Sequence, residues 1–264
     1  MDLGIQGKTA FVAAGSDGLG KAVALRLAAE GANIAICARN PQRLEAAVDE
    51  IRAANPEVQA HGFQIDLGQA RDITQLADQL REQNLAIDIL INNAGGPPPG
   101  STDDVDDDQW QQAFELTMMS TIRLTRIALP HMRDRQWGRI INITSYSVKQ
   151  PMPQMALSNS IRLGVVGWAK TLSNEVAIDG ITVNNVCPGW TRTGRVGQLL
   201  AARSEATGTS PEEIEKSLIA NIPSKRIGEV HEFADVVAFL ASARASYVTG
   251  TTLPIDGGAV SAAM

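Results

Sequence analysis

The stretch Lys8-Thr9-Ala10-Phe11-Val12-Ala13-Ala14-Gly15-Ser16-Asp17-Gly18-Leu19-Gly20 decides the fold of this chain. Its apolar start reads as a buried strand over Lys8 to Ala14, and the segment Gly18 to Glu30, closed by Gly31, reads as a helix. Outward from this unit the alternation repeats. Asn33 to Ala38 is expected as a second strand, and Pro41 to Ala54 as a second helix with its proline in a favoured first-turn position. A strand over Gln59 to Ile65 and a helix over Ala70 to Gln83 follow. Strands at Ile87 to Asn92 and Arg139 to Thr144 flank a long helix around Trp110 to Met132. A helix from Pro153 to Ile178 then precedes strands at Ile181 to Cys187 and Thr251 to Ile255.

Continuously apolar strands that alternate with helices imply a parallel sheet covered on both faces. Right-handed crossovers make it an α/β, Rossmann-type doubly wound sheet, with ligands at the strand C-termini. No linker or repeat divides the chain, so residues 1–264 read as a single domain. Two segments interrupt the rhythm. Residues 95–108 are rich in Gly, Pro and Asp, and residues 194–228 form a polar, weakly helical insertion before a helix at Glu232 to Ser242. An insertion on the ligand side of such a sheet serves as a substrate lid, which is the expectation for 194–228. The acidic run Asp103-Asp104-Val105-Asp106-Asp107-Asp108 reads as solvated carboxylates that favour the positive end of a helix opening near Gln109, rather than as a metal site.

Composition narrows the classes of function. The chain is 44% hydrophobic and 20% charged, too apolar for disorder. No stretch approaches the roughly eighteen apolar residues of a membrane span. A net charge of -6 and a pI near 5.1 argue against a nucleic-acid partner. Two cysteines, Cys37 and Cys187, supply neither a disulfide framework nor a zinc cluster. Met1 to Ile5 lacks the basic and apolar regions of a secretory signal, so a cytoplasmic location is expected.

Gly15, Ser16, Asp17, Gly18, Leu19 and Gly20 join the first strand to the first helix. Glycines here let backbone approach a pyrophosphate, which the free amides of a helix N-terminus stabilise. At the end of the second strand, where an acidic residue would accept the ribose hydroxyls of NAD, stands Arg39, followed by Asn40. A guanidinium offers its planar fork to a 2′-phosphate, so the expected cofactor is NADP(H), with Asn40 as a further phosphate contact.

These residues resemble the short-chain dehydrogenase/reductase family, in particular its 3-oxoacyl-carrier-protein-reductase-like branch. Asn92-Asn93-Ala94-Gly95 matches the family's signature after the fourth strand. Asp66-Leu67 sits where the family contacts adenine, and Gly138 to Ser145 looks like its serine-bearing strand. Pro188-Gly189 with Thr191 and Thr193 resembles the loop that holds the nicotinamide carboxamide, and Asp256-Gly257-Gly258 matches the C-terminal signature. The resemblance implies cofactor contacts at Asp66, Leu67, Asn93, Ala94, Gly95, Pro188, Gly189, Thr191 and Thr193. It also implies a homotetramer, with a dimer as the alternative.

The departures from the family pattern are catalytic. Aligning Gly18 and Gly20 with the family's first loop puts Ala13 and Ala14 at its Thr-Gly and displaces Gly15 by one. Thirteen residues beyond the serine the family places a tyrosine, and four further on a lysine; here these positions are Ser158 and Arg162. The family's helix asparagine corresponds to Thr117. Of that tetrad only Ser145 remains.

Carbonyl reduction needs a proton for the developing alkoxide, and a serine hydroxyl is a far weaker acid than a phenol. Ser158 and Arg162, four apart on a helix, share a face. Arg162 can hydrogen-bond the nicotinamide ribose and stay positive but cannot give up its proton. Tyr247 reads as a packing residue. Tyr146 follows Ser145, and strand alternation aims it away from that serine unless the backbone turns there. His61, His131 and His231 lie far from these motifs, so Ser145 is expected to polarise a carbonyl rather than to attack one. The sequence reads as an NADP(H)-dependent oxidoreductase acting on a small carbonyl or alcohol, 3-oxoacyl compounds by default, with its proton from Tyr146 or from water through Ser158. Two other readings stand beside it. One is a catalytically silent NADP(H)-binding sensor or partner subunit, and the other a lyase or dehydratase reusing the pocket.

Overall fold

The computed structural model describes residues 1–262, with residues 202, 203 and 206 in backbone only; the last two residues of the expected 1–264 domain lie outside the described residues. The chain alternates β1 (Thr9–Val12), α1 (Gly18–Ala29), β2 (Asn33–Ala38), α2 (Pro41–Ala54), β3 (Ala60–Gln64), α3 (Ala70–Glu82) and β4 (Ile89–Asn92). Then come α4 (Asp107–Phe114), α5 (Ser120–Asp134), β5 (Gly138–Ile143), α6 (Ala156–Val176), β6 (Ile181–Pro188), α7 (Gly194–Thr207), α8 (Pro211–Ala220), α9 (Val230–Ala241) and β7 (Thr252–Ile255). All strands pair in parallel in the order β3-β2-β1-β4-β5-β6-β7. The order reverses between β1 and β4, and a crevice opens there at the strand C-termini.

Side-chain alternation builds two apolar layers. Ala10 and Val12 of β1 face one way, toward Val23 and Leu27 of α1, Ile51 of α2 and Phe233 of α9. Phe11 and Ala13 face the other way, toward Leu76 of α3, Leu124 of α5 and Leu172 of α6. The central strands are therefore apolar on both faces, as a sheet covered on both sides requires, whereas the edge strand β3 leaves Gly62 and Gln64 exposed. A polar row breaks this pattern. Asn92, Asn142, Asn185 and Thr252 are direct neighbours on β4 to β7. Asn92 Nδ2 donates to Asn142 Oδ1 at 2.9 Å, Asn142 Nδ2 to Asn185 Oδ1 at 3.0 Å, and Asn185 Nδ2 to Thr252 Oγ1 at 3.2 Å.

Three expectations need correction. The long helix starts at Asp107 rather than near Trp110, because Asp106 and Gln109 form a reciprocal capping box; the acidic run thus caps a helix. A π-helical turn at Glu115–Met119 interrupts it, an extra residue that apolar periodicity does not register. Residues 194–228 hold two capped helices rather than a weakly helical insertion: Thr193 caps α7, and Ser210 with Glu213 boxes α8. Tyr247 is not packed among the described residues but stands 101% exposed ahead of β7.

Candidate functional site

Two connected hollows occupy the crevice. An outer groove of about 1010 Å³ runs between the β1 loop, the end of β2, the β4 loop and the first turns of α7. An inner cleft of about 480 Å³ continues it toward the ends of β5 and β6. Ala14, Asp17, Arg39, Gly95, Gly96, Gly194 and Arg195 line both.

The loop after β1 is tied on both sides. The Gly15 amide donates to the Cys37 carbonyl of β2, and Asn93 Nδ2 donates to the Ala14 carbonyl from the β4 side. A Cβ at Gly15 would sit 2.6 Å from Ile36 Cγ2, so the displaced glycine serves close packing on β2. Ala14 takes the left-handed conformation, with φ of 47°, where a side chain is strained. A Cβ on Gly20 would strike the Ala14 carbonyl and lie 2.9 Å from Asn93 Nδ2, so only glycine fits there. Asp17 caps α1 and accepts the Gly18 amide at 2.7 Å, with Ser16 beside it on the groove and Leu19 on the inner cleft.

Arg39 is exposed at the rim of the groove. Asn40 lines it too, but its side-chain oxygen caps α2 by accepting the Arg43 amide at 2.8 Å. Arg43, which the sequence reading missed, adds a second cation to that wall and lies 3.6 Å from Asp17. Its signal was its place in the first turn of α2, directly past the cap. Asp66 and Leu67 line the far end, where Asp66 accepts the Gly68 amide.

The inner cleft brings together Ser145, Tyr146, Ser158, Arg162, Pro188, Gly189 and Thr193, with Asn93, Ala94 and Gly95 on the opposite wall. Ser145 starts a 3-10 turn at Tyr146–Val148 and accepts the Ser147 amide at 3.1 Å. That turn is the backbone change that lets Tyr146 line the cleft beside Ser145. Burial raises the Tyr146 phenol above its ordinary pKa, against the opposing effect of a hydrogen bond with Trp190. Ser158 is 4% exposed, on the helix face it shares with Arg162.

Arg162 occupies a gap in the sheet. The Thr144 amide donates to the Val186 carbonyl, so in a parallel ladder the return bond to the Thr144 carbonyl would come from residue 188. That residue is Pro188, which has no N–H. Arg162 Nη1 takes its place, donating to the carbonyls of both Ile143 and Thr144 at 3.0 Å. Burial lowers its pKa to about 10, which leaves it cationic at neutral pH. Nearby, burial raises the Cys187 thiol, which pairs with Thr144 Oγ1 at 3.1 Å and stays protonated.

Thr117 does not line the cleft. It lies buried in the π-helical turn, its carbonyl accepting Thr121 Oγ1 and its own hydroxyl without a partner among the described residues. Thr191 is likewise turned inward, bonding the Gly189 carbonyl. Met152, Met155, Trp190, Val196 and Leu199 add an apolar and thioether surface to the cleft. Trp190 was legible only as the residue after Pro188-Gly189; the methionines lie on an irregular segment without a sequence pattern.

A family model described as Enoyl-(Acyl carrier protein) reductase matches residues 13–260. The 3-oxoacyl-[acyl-carrier-protein] reductase FabG of Staphylococcus epidermidis is 31% identical over 252 residues, covering 95% of this chain and 98% of that protein. The NADPH-dependent reductase BacG of Bacillus subtilis is 31% identical over 253 residues, covering 96% and 98%. L-sorbose reductase from Gluconobacter frateurii, solved with NADPH and L-sorbose, superposes with a TM-score of 0.94 at 31% identity, covering 99% of this chain and 100% of that one.

Proposed function

The chain belongs to the short-chain dehydrogenase/reductase family, and from that premise we propose that it is an NADP(H)-dependent oxidoreductase acting on a small carbonyl or alcohol. The observation that carries this reading is the continuity of a dinucleotide-sized groove with a cleft holding Ser145, Tyr146, Ser158 and Arg162. The residues suit the cofactor: a tight loop between β1 and α1, whose close turn an added Cβ at Gly15 or Gly20 would disrupt, and two cations, Arg39 and Arg43, at the end expected to take the 2′-phosphate. When bound, NADPH supplies the hydride.

The protein's own groups supply the rest. The Ser145 oxygen accepts the Ser147 amide, which leaves its hydroxyl proton to polarise a carbonyl oxygen. Arg162 holds a fixed positive charge at the end of β5 and β6 and, facing the cleft, serves the position where the family has its lysine. Ser158 stands where the family has its tyrosine. The proton then comes from Tyr146 or from water held at Ser158. The upward shift of the Tyr146 pKa weakens it as an acid and favours a second reading, a protein that binds NADP(H) without turnover.

The α7–α8 segment is the substrate lid, anchored at its base by Arg192 with Glu215 and Glu229. A homotetramer is the matching assembly, with a dimer as the alternative. Phe114 and Leu163, 41% and 53% exposed on α4 and α6, mark the face for a two-fold contact. Light scattering at micromolar concentration tests it, and a monomeric mass excludes both.

The deciding experiment is the double substitution Ser158→Tyr, Arg162→Lys, assayed on a carbonyl panel with NADPH. General acid catalysis typically contributes ~100- to 10,000-fold, and the pair should gain rate on that scale where either change alone gains less. If parent and double variant both bind NADPH yet reduce nothing, the oxidoreductase reading fails and the silent binder becomes the better reading.

A further inference from the structure

One cation of the groove has no task in the reading above. Arg195 sits in the first turn of α7. Arg192, just before that helix, is held by Glu215 and Glu229 at 3.3 Å each. Arg195 has no carboxylate within ion-pair distance among the described residues. Its hydrogen bond runs across the groove instead, from Nη2 to the Pro97 carbonyl at a long 3.4 Å. Because it lines both hollows, with its Nη2 beside Gly96 and Pro97 and its helix turn facing Asp17, its guanidinium stands at their junction. A dinucleotide lying along the two would place there the diphosphate that joins its halves. The charge of Arg195 is felt as far as Arg162, whose proton affinity it helps to reduce.

The opposite wall explains why a cation is needed. A helix N-terminus attracts an anion through its free amides. Here the Gly18 amide is taken by Asp17 at 2.7 Å and the Gly15 amide by the Cys37 carbonyl. The Asp17 carboxylate adds a negative charge at the same point, and among the described residues Arg43 alone, 3.6 Å away and largely solvated, pairs with it. A diphosphate approaching this loop meets fewer donors than the bare helix end would give, and a like charge besides. Residue 194 is a glycine within 4.0 Å of Asp17 in the sense of an added Cβ, so the first turn of α7 closely faces the loop.

We propose that Arg195 pairs with the diphosphate of bound NADP(H) and offsets Asp17, so that α7 holds the cofactor by charge. The inference rests on the cofactor reading above. A guanidinium suits the role, since it stays charged and offers forked donors to phosphate oxygens. The test is calorimetric titration of the full chain with two probes, NADPH and adenosine 2′-monophosphate, which shares the 2′-phosphate but lacks the diphosphate. Arg195→Gln should weaken NADPH about 10- to 100-fold, the scale of one charge-assisted hydrogen bond, and leave adenosine 2′-monophosphate unchanged. Arg195→Lys should recover part of the loss, and added salt should weaken NADPH more in the parent than in Arg195→Gln. Unchanged NADPH affinity in Arg195→Gln overturns the proposal. An equal loss for both probes also overturns it, by assigning Arg195 to holding the loop at Pro97. A parent that binds neither probe overturns the cofactor reading and this inference with it, whereas binding by the parent with no effect of Arg195→Gln overturns the inference alone.

Discussion

Replacing Arg162 by methionine separates a cation kept for chemistry from one kept for folding. The structure sets two opposing contributions. Its Nη1 bonds to Ile143 and Thr144, both 3.0 Å, are lost. A hydrogen bond from a charged donor contributes about 1.5–3 kcal/mol, so the loss is roughly 3–6 kcal/mol. Against it, burial has lowered this guanidinium from 12.5 to about 10. At about 1.4 kcal/mol per unit, the fold holds the charge at a cost of roughly 3 kcal/mol that a thioether does not carry. The sign is fixed at neutral pH: folded and unfolded chains are both protonated there, so the whole penalty is present, and it eases only as pH rises above the folded value. The net expectation for Arg162→Met is a loss of about 0–3 kcal/mol in urea unfolding at pH 7, a folded protein. Turnover, in contrast, should fall about 100-fold or more with the loss of the fixed charge. A stability loss beyond about 5 kcal/mol would refute the balance and make the guanidinium structural. A kcat/KM within about twofold of the parent would remove it from the reaction.

Cofactor choice is tested by Arg39→Asp, which should abolish or invert a preference for NADPH over NADH; equal affinities in the parent would sink that assignment. Tyr146→Phe should lower reduction ~100-fold or more if the phenol is the acid. Because the acid must be protonated and its pKa lies above the ordinary phenol value, the parent's rate should hold through neutral pH and decline only above that range; an unchanged variant leaves water at Ser158 as the source. Ala14→Gly, which relieves the left-handed strain, should raise stability by up to about 1 kcal/mol, whereas Gly20→Ala should cost about 1–3 kcal/mol through its collision with the Ala14 carbonyl. Denaturant midpoints check both, and a stabilising Gly20→Ala would contradict the loop geometry.

Much of the fold was legible because its elements carry local signals. β2 and α2 lie where the sequence reading put them, one bounded by turn residues and the other opened by Asn40-Pro41. Helices α7 and α8 are underread from sequence although their caps, Thr193 and the Ser210 to Glu213 box, are visible; the weak apolar stripe of α7 outweighs them. The π-helical turn at Thr117 has no local signature. Around the crevice, residues on strand ends and loops such as Asp66, Ser145 and Gly189 line it as their local backbone pattern implies. Trp190, Arg43 and Arg195 line it with little sequence signal, because their place there arises only when α2, α7 and the β6 loop fold against the crevice. Tyr247 shows the reverse failure: an aromatic side chain before a strand suggests burial, yet no element covers it.

The amide row across β4 to β7 bears on how the sheet is assembled. Its strands are rich in Ile and Val, so apolar contacts barely distinguish one alignment from another two residues away. Asn92, Asn142, Asn185 and Thr252 do distinguish them, because each reaches the next only in the observed pairing. A slip of one residue on any of these strands would press an amide into the opposite apolar layer without a partner. A slip of two would leave donors and acceptors unmatched on the proper face. These strands are joined by long helical crossovers, the kind of non-local pairing that forms slowly and invites error. The row therefore acts as a proofreading step for strand alignment, and it brings Ser145 and Pro188 to the same level before any ligand arrives.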